Sequence, residues 1–249
     1  MTYCLAIKIR DGLIGLSDGR ITSGSQLSSA RKVTMMGAES DRFFILNSGL
    51  RSLRDKTLAY LRRDMAQRQG GSYPTMLDAV TAFSTCLRQV AAEDKEALEG
   101  AKLHFNLHAI IGGQLAKDNE PGMYLVYPEG NWIEVDERTP YLSIGATAYG
   151  KPILDRALTH DTDMSTALKI AYLSFDSTRY SSNDVGFPID MVSYECGGRT
   201  WRQTTFDYDD LVEQRLWWNR NITDLVRRMP DGPWIETLVP EALRKKEPV

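Results

Sequence analysis

Apolar residues dominate Tyr3 to Ile9 and return from Leu13 to Leu16, with Asp11-Gly12 between the two runs. This pattern predicts a strand over 3–9 and a partner over 13–17, joined by a hairpin turn at Asp11-Gly12. In that register paired positions sum to 23, so Thr2 lies near Ile21 and Asp18 opposite Leu5, both at the open end of the hairpin. A regular ladder points Thr2 and Asp18 to opposite faces, so bringing them together requires a strand end or bulge near Asp18-Gly19.

A second strand pair is predicted at 32–36 and 43–47, then helices from Leu50 to about Met65 and from Met76 to about Leu98. Leu77, Val80, Phe83, Leu87 and Val90 recur at helical spacing in the second. Further strands fall at 105–111, 123–127, 132–135 and 141–144. Helical patterns follow at 149–158 and 166–173, and a late strand at 189–194. Strands, two helices, strands, two helices and a strand make segregated runs, which predict an α+β layered fold with stacked sheets between helices. From Tyr208 to Met229 apolar residues keep helical spacing, with Trp217 and Trp218 in the middle, and Pro230 ends the pattern. The reading is a core over 2–200 and a helical extension over 201–249 that packs on the core or on a neighbouring subunit.

Composition narrows the function classes. The 249 residues carry a formal net charge of -3 with both signs interspersed, giving no basic footprint for nucleic acid. No apolar run is long enough to span a bilayer, and the N-terminus lacks the pattern of a signal peptide. Cys4, Cys86 and Cys196 are odd in number and far apart, which favours a reducing cytoplasm over a disulfide framework. His104 and His108 share a strand face but lack a clear third ligand, so no metal is expected; no cofactor motif is present either.

Candidate chemistry sits at the start. Removing Met1 makes Thr2 the N-terminal residue, so one residue carries a hydroxyl nucleophile and a free amine able to act as its base. Asp18 follows in Leu16-Ser17-Asp18-Gly19-Arg20, and Lys32 in Arg31-Lys32-Val33. An unperturbed α-amine titrates near pH ~8, and a nearby lysine cation pushes it lower, toward a usable base at neutral pH.

The spacing of Thr2, Asp18 and Lys32 resembles proteasome β-subunits, and the bacterial Anbu (ancestral β-subunit) branch, a relative of HslV, more closely. Thr2-Tyr3-Cys4, Ser17-Asp18-Gly19-Arg20, Arg31-Lys32, Ile144-Gly145, the segment Tyr149-Gly150-Lys151-Pro152-Ile153-Leu154-Asp155-Arg156, Asp176-Ser177-Thr178 and Val185-Gly186-Phe187-Pro188-Ile189-Asp190 carry the resemblance. It implies a four-layer αββα sandwich of the N-terminal-nucleophile (Ntn) hydrolase type, here with an extra C-terminal helix. It also implies a homo-oligomeric ring or helical ring-like assembly and threonine-type amide hydrolysis without a prosthetic group.

By the same resemblance, Lys32 supports the Thr2 amine and the developing alkoxide, Asp18 fixes Lys32, and the Gly49 N–H serves the oxyanion. Thr147 supplies a hydroxyl in Gly145-Ala146-Thr147, where the family usually has Gly-Glu-Ser. Asp176 and a following serine orient the amine; Ser177 and Ser181 are the candidates, and Ser181 fits the branch better. Expected substrates are peptides or unfolded segments, with any unfoldase or peptide-ligase pathway partner encoded separately. A scaffold without turnover, or a narrow amidase acting on a special peptide conjugate, is the alternative.

Overall fold

The computed structural model describes residues 2–23, 26–38 and 41–243, of which 21–23 and 26–29 by backbone alone. The first sheet holds β1 (Tyr3–Ile9), β2 (Gly12–Asp18), β10 (Tyr141–Gly145), β11 (Ile189–Glu195) and β12 (Thr200–Phe206), in the order β10-β1-β2-β11-β12. The second holds β5 (Val33–Met36), β6 (Phe43–Gly49), β7 (Leu107–Gly113), β8 (Gly122–Val126) and β9 (Trp132–Glu134), in sequential order. All of these pairings are antiparallel, and β3 (Arg20–Ser23) with β4 (Gln26–Ser29) forms a separate hairpin. The helices of this part are α1 (Arg51–Gln67), α2 (Met76–Gly100), α3 (Lys151–Ala157) and α4 (Met164–Ser181).

Alternation along the strands explains the layering, because successive side chains leave opposite faces. On β6, Phe43 and Ile45 pack toward the helices with Leu53 and Leu61 of α1 and Val80, Phe83 and Leu87 of α2. Phe44 and Leu46, one position along, meet Cys4, Ala6 and Leu13 of the first sheet and Val192 and Tyr194 of β11. Both faces of β6 are therefore buried. On the far side of the first sheet α4 packs against β1 and β2, with the Tyr3 hydroxyl 2.6 Å from Ser174 Oγ. The order is helices, sheet, sheet, helices: a four-layer αββα sandwich. Each fully buried large aliphatic side chain contributes about 1.5–3 kcal/mol, so the two-sided sheets supply most of the cohesion.

Local signals set the element ends. Thr75 caps α2: its Oγ1 accepts from Asp78 N at 3.2 Å while the Asp78 carboxylate accepts from Thr75 N at 3.1 Å. Pro152 opens α3 in its first turn, where a missing N–H costs nothing.

Several expectations need correction. In the first hairpin Cys4 pairs with Ser17 and Ile9 with Gly12, so paired positions sum to 21 and the central turn residues are Arg10-Asp11. Gly12 belongs to β2 at φ +154, where a Cβ would meet the Tyr194 carbonyl oxygen at 1.8 Å. The neighbouring strand β11, not the turn, demands glycine there. β3, β4 and β12 were not foreseen. β12 pairs with β11 from Thr200 to Phe206, so strand structure runs into the segment expected to begin the helical extension at 201. The chain divides into compact units at 208/209. α4 runs from Met164 to Ser181, past the helix expected over 166–173, which puts Asp176 and Ser177 in its last turns.

The second unit, from Asp209, carries α5 (Val212–Arg228) and α6 (Pro233–Leu238). Leu216, Trp217, Ile222, Leu225, Val226 and Met229 of this stretch are exposed. No helix among the described residues is long and apolar enough to cross a membrane.

Candidate active site

β2 ends at Asp18, directly across from Tyr3 at the beginning of β1, and this strand end lets the Asp18 carboxylate reach across the ladder. Asp18 Oδ1 accepts from the Tyr3 N–H at 2.9 Å, the Thr2 hydroxyl at 2.6 Å and Lys32 Nζ at 2.6 Å. Lys32 Nζ also donates to the Arg20 carbonyl at 2.8 Å. Asp18 is fully buried, and Thr2 and Lys32 are each only 7% exposed. One buried carboxylate oxygen thus joins the hydroxyl and the ammonium. An ion pair this dry is held by its hydrogen bonds as much as by Coulomb attraction.

Two further elements close the site. Gly19 lies against the loop before β11: its N–H donates to the Pro188 carbonyl at 2.6 Å, and a Cβ would meet that oxygen at 2.8 Å. In the same loop Gly186 N–H points to Asp18 Oδ2 at 3.4 Å, and a Cβ on Gly186 would strike the Arg20 guanidinium at 2.4 Å. The segment Val185-Gly186-Phe187-Pro188, part of the resemblance, thus makes two close backbone approaches to the end of β2, and a glycine two residues before a proline is its signal in the sequence.

At the end of β10, Ala146 N–H donates to the Thr2 carbonyl at 2.8 Å, and Thr147 N–H turns back to the Gly145 carbonyl at 2.9 Å. Gly145 has φ +88 and a Cβ there would lie 1.9 Å from the Thr2 oxygen. Gly145→Ala is therefore expected to lower stability by about 1–3 kcal/mol and to slow modification of Thr2 by about tenfold or more through misplacement of its backbone. Thermal unfolding beside the labelling rate of an N-terminal-threonine reagent checks both; an unchanged rate would show that the loop does not set Thr2's position.

The remaining candidates are placed less directly. Gly49 ends β6 at φ +136 with a Cβ position 2.0 Å from the Asn106 carbonyl oxygen. Two residues before it, the Asn47 carbonyl accepts from Cys4 Sγ at 3.6 Å, which ties this strand end to the start of β1. The Thr147 side chain is half-buried. Asp176 is 3% exposed, and its Oδ1 is held by Arg179 Nη2 at 2.6 Å, not by Thr2. Ser181 is exposed, whereas Ser182 beside it is buried. The geometry therefore joins Thr2, Asp18 and Lys32 directly but joins neither Asp176 nor Ser181 to them. Arg179, three residues after Asp176, claims the carboxylate by helical spacing.

Cys4, the other nucleophile near the N-terminus, is wholly buried, and burial pushes its thiol up to about 12, so it carries no thiolate at neutral pH. His108 pairs with Asn106 at 3.1 Å, and no group of three or more His, Cys, Asp or Glu among the described residues could hold a metal.

The proteasome subunit family profile matches residues 2–193, the span that holds both sheets up to β11 and the whole Thr2–Asp18–Lys32 cluster. The chain belongs to the proteasome subunit family. Among solved structures, this proteasome-family chain is similar to the Anbu protein of Pseudomonas aeruginosa, described as a helical assembly. Identity is 31% over 93% of this chain and 98% of that one, with a TM-score of 0.85. It is similar to Anbu of Yersinia bercovieri at 28% identity, covering 92% of this chain and 98% of that one, TM-score 0.84. A Gly-1 mutant of Anbu from Hyphomicrobium sp. strain MC1 matches at 28% identity over 93% and 99% of the two chains, TM-score 0.82. No curated protein sequence matches. The two-sheet sandwich and its N-terminal hairpin are thus those of a proteasome-type subunit, and the likeness is to the Anbu branch.

Proposed function

We propose that the chain is a self-assembling threonine-type amide hydrolase in which Thr2, exposed by removal of Met1, is the N-terminal nucleophile. The supporting observation is the shared Asp18 oxygen, 2.6 Å from both the Thr2 hydroxyl and Lys32 Nζ inside a buried cluster. The Thr2 oxygen attacks the substrate carbonyl carbon as its proton passes to the Thr2 α-amine, directly or through a water. Collapse of the tetrahedral intermediate breaks the C–N bond, and the departing amine takes that proton. Water then hydrolyses the ester by the same route in reverse. Lys32 stabilises negative charge on the Thr2 oxygen, Asp18 holds Lys32, and the Gly49 N–H is assigned to the oxyanion. Thr147, Asp176 and Ser181 are assigned to orienting the amine; for Asp176 this requires its release from Arg179.

Substrates are peptides or unfolded segments small enough to enter an assembly. Homo-oligomerisation is supported by the helical assembly of the Pseudomonas protein and by the apolar residues exposed on α5. Cytoplasmic residence follows from the cysteine usage. A second reading, a scaffold without turnover, is favoured by the Asp176–Arg179 pair alone.

Intact mass before and after a peptide epoxyketone, which closes a ring through both the hydroxyl and the free amine of an N-terminal threonine, tests the proposal. The expected result is loss of Met1 and one adduct, absent in Thr2→Ala. Retained Met1 would sink the hydrolase reading and leave the scaffold.

A further inference from the structure

Beside Lys32 the edge strand β5 and helix α1 enclose an open groove of about 460 Å³. Arg54, Leu58 and Arg62 line it from one face of α1, at four-residue spacing, and Arg31 and Met35 line it from the strand side. The chain as a whole is acidic, yet this groove is basic. Asp55 is its only carboxylate among the described residues, and it is already claimed: Arg54 Nη2 lies 2.7 Å and Arg51 Nε 3.4 Å from it. Burial by itself would raise the Asp55 carboxyl, but the hydrogen bonds and charges of Arg54 and Arg51 hold it below the ordinary carboxylate range. Arg31, its side chain 65% exposed, has only a 3.7 Å contact with Asp190, whose Oδ1 already accepts from Thr205 at 2.6 Å. Arg62 is exposed and forms no ion pair among the described residues. Three lining arginines thus face one lining aspartate, which is already engaged.

We infer that this groove selects substrates carrying an acidic side chain, glutamate above all, near the amide bond presented to Thr2; the inference rests on the amide-hydrolase reading. Arg62, with no ion pair among the described residues, and Arg31, with its 3.7 Å contact to Asp190, supply guanidinium donors, whose planar fork fits a carboxylate with two parallel hydrogen bonds. Leu58 and Met35 supply apolar flanks for the methylenes, which favours the longer glutamate. Arg31 and Val33, which line the groove, flank Lys32 in sequence, and Lys32 shares Asp18 Oδ1 with Thr2; that proximity along the chain is the link between the groove and the proposed nucleophile. The arms are exposed, so the selection is moderate and sensitive to salt.

The test uses Thr2→Ala full-length protein and fluorescein-labelled ten-residue peptides in which a single glutamate, or glutamine in its place, is stepped along the sequence. Fluorescence anisotropy at low salt is expected to show one or two positions where glutamate binds about fivefold tighter than glutamine. That preference should shrink in 0.5 M NaCl and vanish in Thr2→Ala with Arg62→Gln, while the glutamine peptide keeps its affinity within about twofold. Equal affinities at every position, or no binding of either series, would overturn the inference. Wild-type protein with the same peptides, read by mass spectrometry, separates the two claims. A glutamate preference in binding without cleavage of any peptide counts against the hydrolase and leaves the groove standing. Cleavage indifferent to glutamate does the opposite.

Discussion

Thr2→Ala is expected to lower amide hydrolysis by a factor on the order of 10⁴ or more, because the nucleophile and its proton path act as one unit. The fold should survive. The substitution removes one hydroxyl and its 2.6 Å bond to Asp18, while Asp18 keeps Lys32 and the Tyr3 N–H as partners. A hydrogen bond to a charged group is worth about 1.5–3 kcal/mol, so for a chain of this size the unfolding midpoint should fall by roughly 3–12 °C. Steady-state hydrolysis of the best peptide, with thermal unfolding and sedimentation as companions, checks this. Serine at the same position keeps a hydroxyl and an amine and should retain measurable turnover. If alanine left the rate intact, the chemistry would lie elsewhere in the chain.

Asp18→Asn strikes both stability and activity. The carboxylate has no exposed surface, and the Lys32 side chain is 9% exposed. Asparagine leaves that ammonium buried with the Arg20 carbonyl as its remaining strong acceptor. Removing one member of a buried ion pair typically costs about 3–5 kcal/mol. For a chain of this size, each kcal/mol moves the midpoint about 2–4 °C, so a fall of roughly 6–20 °C is expected. Turnover should fall with it, because Lys32 loses the anion that aims it at the Thr2 oxygen. The double variant Asp18→Asn with Lys32→Met should recover part of the lost midpoint, since no buried charge is then left unpaired, and should recover no activity. Restored activity would remove Lys32 from the mechanism; an unchanged midpoint in the single variant would show that the pair contributes little to stability.

The elements were legible where the pattern was periodic and two-sided. β1 was read from its apolar run, and α2 from Leu77, Val80, Phe83, Leu87 and Val90, of which the last four face the second sheet while Leu77 is 50% exposed. β12 was missed because its residues are mostly exposed or half-buried, so no apolar alternation marks it. The hairpin register slipped by two because Asp11-Gly12 looks like a turn, whereas Gly12 is glycine to clear the Tyr194 carbonyl of a strand far away in sequence.

The candidate site divides in the same way. Sequence alone determined which residues are the candidates for the chemistry: a threonine next to the start methionine, an aspartate at a strand end and a lysine before a strand. It also determined the alternation that stacks two sheets between helices, because burial is written locally as apolar spacing. Only the tertiary structure decided that Thr2 and Lys32 share one oxygen of Asp18, that the Gly186 N–H points to the other while Pro188 holds Gly19, and that Asp176 belongs to Arg179. Those facts are hydrogen bonds of a few ångströms between residues up to 169 positions apart (Gly19 and Pro188, 188 − 19), or choices between rival partners on one helix. Hydrophobic spacing records which face of an element is buried; it does not record which donor, among several within reach, a buried carboxylate accepts.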